Sequence, residues 1–89
     1  MRKINAEIVL SNISEAREEL EQIEALARSG EELEYGELVV MFAHAYRHMN
    51  WAWNARQASD EEYGHMTGEG FSEWSKFPTE LEPLIGVED

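Results

Sequence analysis

No cysteine occurs among the 89 residues. That excludes a disulfide framework and thiol chemistry, and it favours a reducing compartment. Basic residues are few: seven Lys and Arg stand against 19 Asp and Glu, for a formal net charge of −12. Charge of that sign disfavours direct binding to nucleic acid or to an anionic membrane, because phosphates are repelled. It suits a partner protein that is itself basic. No apolar run is long enough to span a bilayer, and Asn5 and Glu7 interrupt the apolar core that a signal peptide would need after Met1-Arg2-Lys3. The expectation is a cytoplasmic protein.

Catalytic motifs are missing as well. There is no Gly-x-Ser-x-Gly, and Gly64, Gly68 and Gly70 are too loosely spaced among acids to cradle a phosphate. Carboxylates are abundant, but none is marked as lying in the apolar pocket that general-acid work requires. Neither an enzyme nor a cofactor is expected.

What is present is a core. Hydrophobic residues make up 43% of the chain and nine residues are aromatic, which suits one thin-cored domain over residues 1–89. Residues 5–29 read as a first helix. Val9, Ile13, Ala16, Leu20, Ile23 and Ala27 recur at steps of four and three, the seam of a helix packed along another. Asn12 and Glu15 have capping-box spacing, which allows a later start there. Ser29-Gly30 ends the helix, with Arg28 in its last turn. Helix two runs from about 32 to 58, with Gly36 weakening its first turns by about 1 kcal/mol relative to Ala. Tyr35, Val39, Phe42, Tyr46, Met49 and Trp53 repeat the same steps and form its expected seam. Short helices follow at about 59–66, 67–76 and 79–85. Ser59 with Glu62 opens the first, Thr67 caps the second, and Pro78 stops it. Residues 86–89 read as a frayed end. The fold class is therefore all-α: an antiparallel two-helix heptad hairpin, with two or three short C-terminal helices packed across helix two.

Residues 38–59 contain no Asp or Glu, yet hold two of the three Trp and two of the three His. At about 100° per residue this helix is apolar or aromatic around most of its circumference. Opposite the expected seam lie Val40, Met41, His44, His48, Trp51 and Ala55. The C-terminal segment, with Phe71, Trp74, Phe77, Leu81, Leu84 and Ile85, is expected to cover that side. Pairing of two hairpins as a homodimer is the alternative cover, and an exposed face awaiting another protein is the third.

Three constellations carry chemistry. Arg47, Asn50 and Asn54 form a polar stripe that must see water or a polar partner, with Trp51 beside it as a stacking surface. His44 and His48, at i and i+4, have chelating spacing, and His65 would be the third ligand of a metal. However, Ala45 stands where a zinc-protease helix needs Glu. Glu15, Glu18, Glu19, Glu21 and Glu24 form an acidic surface on helix one. Usually such a run is only a solvated face. These features set out three functions. The first is a non-catalytic interaction or regulatory module that contacts another protein along the Arg47–Asn50–Asn54 stripe and the His44–His48–Trp51 edge. The others are an acidic inhibitor imitating nucleic acid in a basic groove, and a small metal or ligand binder at His44, His48 and Arg47.

Overall fold

The computed structural model describes residues 2–86, so most of the frayed end expected at 86–89 lies outside the described residues. Five helices follow one another: α1 Ala6–Arg28, α2 Tyr35–Asn54, α3 Asp60–Gly64, α4 Gly68–Ser75 and α5 Glu82–Ile85. Among the described residues there is no strand. The α1 and α2 helices pack along each other, and α4 packs across α2. Their antiparallel sense is plain from the cross-links. Asn5 meets Arg56, Asn12 meets His48, and Glu19 meets His44. No helix among the described residues is long and apolar enough to cross a membrane.

The start of α1 is set by Asn5, whose side chain accepts the Ile8 N–H. The alternative start at Asn12 is not used: Asn12 sits mid-helix and is only 2% exposed. Ser29 and Gly30 end α1 as expected, with Gly30 at φ 80°, a left-handed conformation that glycine takes without steric cost.

The hairpin has heptad rows: Val9, Ala16 and Ile23 of the expected α1 seam face inward, but the expected α2 seam does not. On α1 the inward row is Val9, Asn12, Ala16, Glu19, Ile23 and Leu26, while Ile13 and Leu20 are exposed. On α2 the inward row is Leu38, Met41, Ala45, His48, Ala52 and Ala55. The expected α2 seam is turned outward: Tyr35, Val39, Phe42, Tyr46 and Met49 are all exposed, and Trp53 is half-buried. Two rows of identical spacing run along the same helix. The row that wins is the one rich in alanine, which lets the backbones approach closely and places small side chains in the seam.

Helix two is also shorter than the expected 32–58. At its start Glu34 makes no side-chain cap bond, since none of Glu31, Glu32 and Glu34 offers the short oxygen of a good cap. At its end the carbonyls are taken by the N-terminal segment. Asn5 N–H donates to the Arg56 carbonyl at 2.6 Å, Arg2 to that of Gln57, and Asn5 Nδ2 to that of Ala58. Residues 55–57 form turns instead of continuing the helix.

The short helices carry the expected caps. Ser59 and Glu62 form a complete capping box, and Thr67 accepts the Gly70 N–H. The Ser59 backbone N–H, with Arg2 alongside, holds the Glu62 carboxyl below its usual range. The last helix is one turn, with Thr79–Leu81 in a preceding turn.

Candidate protein-interaction site

The side chains singled out on α2 separate into an internal network and an outer face. Inside, His48 Nδ1 lies 3.0 Å from Asn12 Oδ1. Asn12 Nδ2 donates to Ile8 O and to Tyr63 Oη, both at 3.0 Å. His44 Nδ1 lies 3.2 Å from Glu19 Oε2, and the two imidazole rings are 5.0 Å apart. Burial pushes the His48 pKa down, helped by His44 and Arg47 and opposed by Glu15 and Glu19. His65 does not join this pair. Among the described residues no three His, Asp or Glu side chains gather closely enough to hold a metal ion. The expected third ligand fails because Tyr63, not His65, is the α3 residue that turns toward α1 and α2.

The two amides of the polar stripe find their polar partner in α4. Asn50 Nδ2 donates to Ser75 O at 2.9 Å, and Asn54 Nδ2 donates to Trp74 O at 2.9 Å and Lys76 O at 2.6 Å. These are the carbonyls at the C-terminus of α4, which have no partner within their own helix. The stripe therefore caps α4 and locks it across α2. Trp51 is buried beside it. Its Nε1 donates to Ser75 Oγ at 2.8 Å, and its ring meets Tyr63 and Phe71 edge-on. Trp74 stacks on Tyr63 at 5.4 Å. The Arg47 guanidinium lies 5.9 Å from the Trp51 ring and 5.7 Å from the Phe71 ring, and its Nε is buried without a hydrogen-bond partner. Those rings supply part of the lost solvation.

Nor do the five glutamates of α1 form one free surface. Glu19 is turned inward to His44, Glu21 pairs with Arg17 at 3.8 Å, and Glu24 pairs with Arg28 at 3.3 Å. Glu15, Glu18, Glu21 and Glu24 are all exposed to solvent.

What remains open is the outer row of α2 and its junction with the C-terminal segment. Here Tyr46, Met49 and Trp53 form one wall of a groove, and Phe77, Leu81 and Ile85 form the other. Its volume is about 370 Å³ and its lining is mainly apolar. Tyr46 meets Phe77 edge-to-face at 5.4 Å, closing one end. Among the described residues Glu82 is the only charged one lining the groove, and Glu80 accepts a hydrogen bond from Trp53 Nε1 at its margin. On the far side of the Trp53 ring the Arg56 guanidinium stacks at 3.8 Å. Spacing and bulk predict core positions for these groove residues, but bulk alone does not distinguish a seam from an exposed row. No family model, no curated protein and no solved structure matches the chain.

Proposed function

We propose that this chain is a small cytoplasmic interaction module without catalysis, which holds an apolar anchor from a basic segment of another protein in the groove between α2 and α5. The supporting observation is the groove itself: large apolar walls left uncovered in a thin-cored domain, with the Glu82 carboxylate in its lining and that of Glu80 at its margin. A docked apolar side chain would gain about 1.5–3 kcal/mol from burial. Glu80 and Glu82 would favour Lys or Arg beside that anchor, and the net charge of −12 would draw such a segment in from a distance. Its volume lies at the small end of the range for binding cavities, about 300–1,000 Å³, which suits one or two side chains better than a whole helix.

Selection of a displayed peptide library against the intact chain tests this. Enriched peptides should pair an aromatic or branched aliphatic residue with neighbouring Lys or Arg, and should lose binding to the Ile85→Asp variant. Ile85 is 78% exposed, so that change leaves the core alone. Absence of enrichment, or equal binding to the variant, would exclude the groove as the docking site.

A further inference from the structure

A second apolar surface adjoins the groove, sharing Met49 with it, on one side of the hairpin. Ile13 and Leu20 on α1, and Phe42 and Met49 on α2, are each between 43% and 46% exposed. Within each pair the residues are seven apart. At about 100° per residue, Ile13 and Leu20 lie about 80–100° from Asn12, and Phe42 and Met49 lie about 100–120° from His48, in the same rotational sense. Asn12 and His48 mark the centre of the seam. The two helices are antiparallel, so equal senses of rotation fall on the same side. The Glu19–His44 contact follows the same rule on the opposite side. Between the two pairs runs a floor of small buried residues, Ala16, Ala45 and Ala52.

Most acids of α1 are turned away from this face, and Glu82 of the groove lies only at its edge, where Met49 is shared. On α1, Glu7, Glu15, Glu18 and Glu19 rotate in the opposite sense, toward the side where α3 and α4 pack. The one acid of α1 turned toward the face, Glu24, is neutralised by Arg28. The only acid within α2 is Glu37, in its first turn. The carboxylates of the hairpin are thus densest on the other side, and this side repels a second acidic copy least. Its dimensions are also adequate. Twenty paired residues make a face about 30 Å long and about 20 Å wide. Twofold pairing would bury on the order of 1,200 Å², the lower end of what a specific interface needs.

We infer that this face binds a second copy of the chain, the two hairpins forming a four-helix bundle about a twofold axis. Strict seven-residue spacing of the exposed rows is the pattern that left-handed bundles seat as knobs in holes. Dimerisation buries Ile13, Leu20, Phe42 and Met49 around the alanine floor and leaves the acids on the outside. It covers Met49 at one wall of the groove and leaves the other wall, formed by Phe77, Leu81 and Ile85, open.

Sedimentation equilibrium of the untagged chain reads this directly. The expected result is twice the chain mass, with an association that tightens as salt rises, because salt screens the residual repulsion. Leu20→Glu should weaken it by about thirtyfold or more while leaving the helical circular dichroism unchanged. An equimolar mixture of Leu20→Glu and Leu20→Lys should restore association. A wild-type chain that stays monomeric at sub-millimolar concentration overturns the inference. So does a dimer that survives Leu20→Glu, or one dissociated by the groove variant Ile85→Asp instead.

Discussion

His48 Nδ1 and Asn12 Oδ1 meet at 3.0 Å across the seam between α1 and α2. Both amide protons of Asn12 are committed, one to Ile8 O and one to Tyr63 Oη. Its Oδ1 can therefore only accept, and His48 must carry its proton on Nδ1. One buried asparagine thus fixes a tautomer, orients a tyrosine from α3, and sets the register of the hairpin.

Asn12→Asp should reverse the titration of His48. A carboxylate beside Nδ1 favours the imidazolium, so the His48 pKa should move from below to above its ordinary 6.5. The new side chain cannot donate to Ile8 O or Tyr63 Oη, so stability should fall by about 1–3 kcal/mol. Imidazole proton shifts followed by NMR, with urea unfolding, measure both. A His48 pKa that stays below 6.5 would contradict the assigned contact.

The wild-type chain should lose stability on acidification through His48. Its folded pKa is depressed below 6.5, so the unfolded chain binds the proton first as pH falls. The contribution is intact above the unfolded value of about 6.5 and is lost progressively toward the folded value. In His48→Gln the fall in Tm between about pH 7 and pH 5.5 should be shallower than in wild type. Identical slopes would remove His48 from the account.

Asn50 and Asn54 should act on α4 and not on the hairpin. Replacing either with Ala removes a cap from the α4 carbonyls and should cost about 1 kcal/mol, with more at the buried Asn50. Amide exchange should quicken across Gly68–Ser75 while Ala6–Arg28 stays protected. Uniform quickening of both helices would show that α4 is not a separate unit.

The two tryptophans of α2 should report different events. Trp51 is enclosed by Tyr63, Phe71 and Ser75, so Trp51→Ala should cost about 3–5 kcal/mol. Trp53 is half-buried at the groove, and Trp53→Ala should cost clearly less. In single-tryptophan variants iodide should quench Trp53 and largely spare Trp51. Equal quenching would mean that α4 does not close over Trp51.

The helices, their order and most of their caps were legible because each rests on local chemistry. Ser59 with Glu62, Thr67, and Ser29-Gly30 act within a few residues of themselves. The rotation of the helices was not legible. Phe42 and Ala45 both lie on heptad rows, and choosing between them requires knowing how closely two backbones approach, which no single position encodes. The partner of the polar stripe was not legible for a related reason. Asn50 and Asn54 at four-residue spacing serve a ligand and the end of a neighbouring helix equally well, and only the position of Ser75 decides between them. Tyr63 was passed over because a lone tyrosine in an acidic short helix has no local signal. Asn12 had one: a polar residue in an apolar row has to find partners when it is buried.

The bonds from Arg2 and Asn5 to residues 56–58 bear on the order in which the chain folds. They join residues 51–55 positions apart, so the loop they close takes in more than half of the chain. Closing so long a loop from the open chain is entropically slow. Once the turn at Gly30 has formed and α1 and α2 have zipped from that end, however, the remaining gap is short. The hairpin should therefore grow outward from Gly30, and this junction should be its last rung. Because the Ser59 cap of α3 begins just beyond the junction, α3 and α4 can settle only after it is in place.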